Sequence, residues 1–267
     1  MLMKTTIQNV IDILIEPIGL LDNTVDSLSF GDPQTAVTGI VTAFMPTQRI
    51  LEKAVSMNAN LIIAHESPFY QHQSSLDDVI EDDPVYQAKR MFILNSNLAI
   101  YRFHDYYHRY QPDGIMVGLI EALAWSSYVT KHQPAYSVLE VPTMTLFDMA
   151  DYIKRKLNIG FVRAVGNVGT RCSRVGLLAG YRGGGRLTIP LIEQENLDLV
   201  IYGEGPEWET PEYVRDAASQ GRPKALIVLG HAESEEPGMK LLAEQIQRRL
   251  PDIPVQYVAE KPLFRVL

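Results

Sequence analysis

Short apolar runs, each followed by an amphipathic stretch, constrain this chain more than any other feature. VTGIVTAFM (37–45), LIIA (61–64), LAIYRF (98–103), YSVLEV (136–141), VRAVG (162–166), RVGLLAG (174–180), LDLVIYGE (197–204), ALIVLG (225–230) and VQYVA (255–259) read as strands. Between them, 47–60, 85–97, 115–125, 145–157, 209–220 and 237–250 read as helices. In the first, Thr47 is the candidate N-cap and Ile50, Leu51, Ala54 and Val55 share one face. The alternation predicts α/β layers. The polar stretch SSYVTKHQPAY (126–136) marks a boundary. The expected organisation is therefore two α/β lobes, residues 1–130 plus 225–267 and residues 131–224.

Composition excludes several classes. A formal net charge of −8 and a pI near 5.3 repel nucleic acid unless basic residues are concentrated. The densest basic clusters, KRK (154–156) and RR (248–249), fall on expected helices and read as solvated faces. No apolar run reaches the roughly 18 residues that a membrane helix needs. The opening MLMKTTIQNVIDIL reads as an amphipathic helix, not a signal peptide. A lone cysteine, Cys172, forms no internal disulfide, which is consistent with the cytoplasm.

Chemistry gathers where strands end. Of six histidines, four lie in three segments that each follow an apolar strand: AHESPF after LII, HDYYH (104–108) after LAIYRF, and HAESE (231–235) after ALIVLG. In open α/β sheets, loops beyond the carboxyl ends of strands converge on a crevice. His65 and Glu66 are adjacent, His104, Asp105 and His108 lie within five residues, and His231 and Glu235 have the separation that stacks side chains on one helical face. Imidazole with carboxylate suits zinc, iron, manganese, cobalt or nickel. The donors exceed the four of one tetrahedral site, which points to two metals. Taken alone, each segment has an ordinary reading: a strand-end histidine as a structural hydrogen-bonding group, Glu235 as a first-turn acid. The repeated strand-then-histidine order is what points to metal.

GYRGGGR (180–186) reads as a flexible turn, or as backbone N–H groups offered to an anion with Arg182 and Arg186 adding charge. It lacks the lysine and hydroxyl ending of a P-loop.

Three stretches, SFGDPQTAVTGIVTAF (29–44), NANLIIAHESPFY (58–70) and LGHAESEEPGMKLLAEQI (229–246), resemble the dinuclear-metal-centre proteins called NGG-one-interacting-factor-three-like, some of whose members are called GTP cyclohydrolase I type 2. The resemblance covers most of the chain. It implies two divalent transition metal ions at the strand C-terminal ends, in the cleft between the lobes, with His65, Glu66, His108, His231 and Glu235 as ligands. Two positions depart from the usual pattern: Glu66 stands where most members have a second consecutive histidine, and His108 where they have aspartate. The set keeps three imidazoles and two carboxylates and fits a branch with HE in place of HH. His104 matches the family's non-ligand histidine, and with Glu66 and Glu235 it is a candidate catalytic residue. Asp105 could accept a hydrogen bond from a bound imidazole. Glu204, Glu207, Trp208 and Arg182 are pocket candidates, and the run holding the first three also reads as a helix-start turn.

These residues imply a metal-dependent hydrolase that activates water against a small anionic or nucleotide-like substrate. The alternatives are a metal storage or delivery protein without turnover, and a regulatory or scaffold ring. The resemblance also implies a homo-oligomer, a hexamer.

Overall fold

Sheet strands and their parallel neighbours decide where each donor emerges. A computed structural model of the chain describes residues 4–72 and 82–267. The first elements in chain order are helix α1 (Ile7–Ile15), strands β1 (Leu28–Phe30) and β2 (Ile40–Ala43), α2 (Gln48–Ser56), β3 (Leu61–Ala64), α3 (Pro84–Asn95), β4 (Ala99–Arg102) and the one-turn α4 (Asp105–Arg109). Then come α5 (Gly114–Ala122), β5 (Val129–His132), β6 (Ser137–Thr145), α6 (Leu146–Leu157), β7 (Arg163–Val165), β8 (Arg171–Leu178), α7 (Gly185–Gln194), β9 (Leu199–Tyr202), α8 (Thr210–Ser219), β10 (Ala225–Val228), α9 (His231–Arg249) and β11 (Val255–Tyr257). The chain is mixed α/β with two sheets, as the alternation predicts.

The chain divides into two units. The first comprises the residues up to Gly114 together with Met239–Lys261; the second comprises Ile115–Gly238 and Pro262–Leu267. The sequence reading put the return to the first lobe at residue 225. It comes later, within α9, because β10 pairs in parallel with β9 and belongs to the second sheet. The outward boundary, expected at 130, falls at Gly114: SSYVTKHQPAY contributes β5, an edge strand paired antiparallel with β6.

In the first unit the sheet order is β1-β4-β3-β2-β11, parallel except for β1. Strands β2, β3 and β4 are buried along their whole length, as parallel strands covered on both faces should be. Val41, Ile62 and Ile100 pack there with Ile50, Leu51 and Ala54 of α2 and Ile93 of α3. Thr47 caps α2 by accepting from Ile50 N, as expected, and Asp83 caps α3 ahead of Pro84. Capping by Thr6 starts α1 at Ile7; Met1–Met3 of that expected helix lie outside the described residues.

In the second unit the order is β5-β6-β8-β9-β10-β7, with β8, β9 and β10 parallel. Val200, Leu226 and Leu178 form a core with Leu191 and Ile192 of α7 and Val214 of α8. Helix α6 starts on Thr145 and stops at Asn158, whose left-handed backbone suits asparagine. Among the described residues, no helix is long and apolar enough to cross a membrane.

Candidate metal centre

In the first unit, β3 ends at Ala64 and the parallel ladder continues past it. His65 N donates to Ala43 O (3.2 Å) and Glu66 N to Phe44 O (2.8 Å), which aims both side chains beyond the sheet's carboxyl edge. Next door, Phe103 N donates to Ala64 O, and His104 follows. Helix α4 then starts on a carboxylate brought from far away in sequence. Asp26 accepts from the backbone N–H groups of His104, Asp105 and Tyr106 (2.9, 2.9 and 3.0 Å), filling the orphan donors of the first turn. Burial nevertheless raises the Asp26 pKa, outweighing those donors. One turn on, His108 lies over His104.

His65 is wholly buried, stacked on His104 (ring centroids 4.5 Å) and edge-on to His108 (4.9 Å). His65, His104 and His108 each offer a ligand atom within 4.8 Å of the others. Their Nδ1 atoms are committed to oxygen: His65 to Phe103 O (3.3 Å), His104 to Asp105 Oδ1 (2.9 Å) and His108 to Asp113 Oδ2 (2.9 Å). A carbonyl or carboxylate at Nδ1 fixes the proton there and leaves Nε2 as the lone-pair donor, the arrangement that orients metal-bound imidazoles. These residues therefore fit a transition metal. Asp105, expected to accept from a metal-bound imidazole, accepts from His104; burial raises its pKa, but the hydrogen bonds it accepts, from His104 among others, hold its carboxyl below the usual range.

Sequence reasoning missed Asp26, Asp113, Arg102 and His72. Asp113 is buried behind His108. Arg102, the last residue of β4, is also buried, and its guanidinium reaches Glu66 Oε2 (2.8 Å), His65 O (3.4 Å), His72 O (2.7 Å) and His72 Nδ1 (2.9 Å). Both ends of the 65–72 loop are thus tied to one cation. Lys89 of α3 ties its middle, donating to Pro68 O with the Phe69 and Tyr70 rings 5.6 and 5.5 Å away.

In the second unit, β9 and β10 extend their ladder to Gly203 and Gly230. Gly230 has φ +111, and a Cβ there would overlap the Glu233 carboxylate. Helix α9 begins at His231, six residues before the expected start, with Pro237 inside it. His231 and Glu235 therefore share a helix face, with Nε2 and Oε2 3.2 Å apart. His231 Nδ1 lies 3.0 Å from Glu204 Oε1, so this imidazole too is anchored at Nδ1. Burial depresses its pKa, but Glu235 and Glu204 outweigh burial and hold it up at about 9. Glu235 is 2% exposed. Gly180, at φ +64, leaves the space it fills: a Cβ there would overlap Glu235 Oε1.

The remaining pocket candidates separate. Glu204 joins His231, whereas Glu207 is exposed and paired with Arg163, and Trp208 is 76% exposed. Arg182 is half-buried on the glycine-rich loop. That loop opens α7, and Gly185 N donates to Glu209 Oε2 (2.6 Å). An internal carboxylate thus sits at the helix N-terminus, where an external anion would bind.

The sequence model of the Duf34/NIF3 (NGG1p interacting factor 3) family matches residues 7–262. The chain belongs to this family. Two curated relatives are each named GTP cyclohydrolase 1 type 2 homolog. The one from Clostridium acetobutylicum is 24% identical over 84% of this chain and 81% of its own. The one from Clostridium perfringens is 23% identical over 88% and 87%. Among solved structures, a Staphylococcus aureus hypothetical protein shares the fold with a TM-score of 0.74 at 19% identity, covering 99% of this chain and all (100%) of the other.

Proposed function

We propose that this Duf34/NIF3 chain is a dinuclear metal-dependent hydrolase acting on a small anionic or nucleotide-like substrate, with His65, Glu66, His108, His231 and Glu235 as its metal ligands. One observation carries the reading. Three imidazoles, at 65, 104 and 108, are anchored through Nδ1 by carbonyl or carboxylate oxygens, which orients their Nε2 atoms in advance, and His231 is anchored in the same way by Glu204, with its Nε2 facing Glu235. When bound, such ions supply hydroxide at neutral pH and polarise a phosphoryl or carbonyl oxygen.

His104 has its Nδ1 on Asp105, so Nε2 is the atom at which it takes a proton from the attacking water and returns it to the leaving group. Arg102 offsets the charge of Glu66 and holds the carboxylate in place. Glu204 orients His231 toward Glu235. The names of the clostridial relatives make GTP the first substrate to try. We further place the protein in the cytoplasm, on a lone cysteine that forms no internal disulfide, and as a homohexamer, on the resemblance alone; light scattering tests the assembly.

The deciding experiment is elemental analysis of the wild type beside the His65→Ala, His231→Ala double variant, followed by a GTP hydrolysis assay with the metal found. The expected result is about two equivalents in the wild type and loss in the variant, as a two-metal site requires. A wild type that takes up no zinc, manganese, iron, cobalt or nickel sinks the proposal. Two bound ions with no turnover on any anionic substrate would leave a metal store in place of a hydrolase.

A further inference from the structure

His72 departs from the pattern of the other anchored histidines. His65, His104, His108 and His231 each set Nδ1 against an oxygen acceptor, so the proton sits there. His72 sets Nδ1 against a donor. A guanidinium carries only N–H groups and stays protonated. The two hydrogens on Arg102 Nη2 have two acceptors within reach, Glu66 Oε2 at 2.8 Å and His72 Nδ1 at 2.9 Å. His72 Nδ1 must therefore be the lone pair, and the ring proton lies on Nε2. A second bond, from Arg102 Nη1 to His72 O, fixes the backbone beneath the ring.

The location matters as much as the tautomer. The His72 ring stands edge-on to His104, with centroids 4.8 Å apart, and its side chain is 51% exposed. It therefore lies at the outer side of the imidazole group, where a ligand arriving from solvent meets it. Glu66, His72 and His104 each offer a ligand atom within 4.8 Å of the others, which by distance alone would make His72 a cation ligand. The tautomer argues otherwise: its Nδ1 lone pair is already taken by Arg102, and its Nε2 carries a hydrogen. The nearest carboxylate, Glu66, does not make the position hostile to an anion, because Arg102 neutralises it.

We propose that His72 is a substrate-binding residue, not a metal ligand: its Nε2–H, held in that tautomer by Arg102, donates a hydrogen bond to an oxygen anion of the substrate at the metal centre. This rests on the metal reading above and adds to it the class of atom recognised, a phosphoryl or carboxylate oxygen. Arg102 acts through His72 and Glu66 and is a positioning residue.

Two measurements test it. Long-range proton–nitrogen NMR on zinc-loaded and on metal-free protein reads the tautomer; the expected pattern is a pyridine-like Nδ1 and a pyrrole-like Nε2 at His72, opposite to His65 and His108, and lost in Arg102→Gln. Binding of inorganic phosphate to the zinc-loaded protein should weaken roughly tenfold or more in His72→Ala, the usual effect of losing a hydrogen bond to a charged group, with zinc content unchanged. His72→Gln, which keeps an N–H donor, should recover part of it. A protonated Nδ1 at His72, a fall in zinc content in His72→Ala, or unchanged phosphate affinity overturns the proposal. Failure of the metal reading shows separately, as a wild type that takes up no metal. The tautomer in that metal-free sample then tests only whether Arg102 holds the His72 proton on Nε2, so the two failures are told apart.

Discussion

In the first unit the donors His65 and Glu66 sit on a loop that buried cations hold; in the second, His231 and Glu235 sit on a helix for which glycines clear the space. Arg102 grips residues 65, 66 and 72, and Lys89 grips Pro68 beneath two aromatic rings. His231 and Glu235 owe their approach to one helical turn and to Gly180 and Gly230, whose backbones adopt positive φ. The difference teaches where each region is vulnerable. The first should fail when charge is removed, the second when bulk is added.

The largest effect should come from Arg102→Met. It removes a buried guanidinium with four hydrogen bonds and leaves Glu66 without that counter-charge, at a cost of about 3–5 kcal/mol in urea unfolding. A loss under about 1 kcal/mol, the scale of an exposed ion pair, would break the comparison. Next comes Gly180→Ala, which pushes a methyl group into Glu235 Oε1 at a left-handed backbone position. About 2–3 kcal/mol is expected from overpacking and strain. A neutral result would mean that Glu235 has room to move, so that glycine does not set its place.

A finer test is Asp113→Ala. Loss of the carboxylate behind His108 should weaken zinc binding by about 10–100-fold in chelator competition. Unchanged affinity would show that α4 alone orients His108. The smallest effect concerns Lys89. Burial lowers its pKa from 10.5 to about 8, so between those values the folded chain binds fewer protons than the unfolded chain. Folding therefore gains stability from this group as pH rises through that window. Urea midpoints of wild type and Lys89→Met, measured from pH 7 to 10, should converge if the variant starts more stable or diverge if it starts less stable. Parallel curves would mean that Lys89 titrates normally and that its hold on the loop carries no burial cost.

What could be read from the sequence was local. LIIA, ALIVLG and the histidines that follow them were legible because a fully buried parallel strand is apolar throughout and its end is abrupt. The four-residue spacing of His231 and Glu235 carried over directly into a shared helix face. Helix α7 was hidden behind three glycines and interrupted by Pro190. The early start of α9 was hidden by Pro237, which looks like a first-turn proline and instead lies inside the helix. The partners of the donors left no signal at all. Asp26 lies 78 residues from the His104 backbone it caps, and Arg102 lies 36 from Glu66; antiparallel pairing of β1 with β4 brings the first pair together, and parallel pairing of β3 with β4 the second. An aspartate in VDSLSF or an arginine ending AIYR looks like any other until the sheet is assembled.

The order in which the chain is made gives the division at Gly114 and Met239 a further meaning. The second unit, apart from Pro262–Leu267, is one continuous segment, whereas the first needs its edge strand β11, which pairs with β2 across some two hundred residues of sequence. On a ribosome delivering the chain from its amino end, Ile115–Gly238 can complete its sheet while β2 still waits with one edge bare. The unit that carries His65, His104 and His108, first to be translated, is thus the last to be finished, and during that interval its open strand is the place where a chaperone, or a neighbouring nascent chain, would find backbone to pair with.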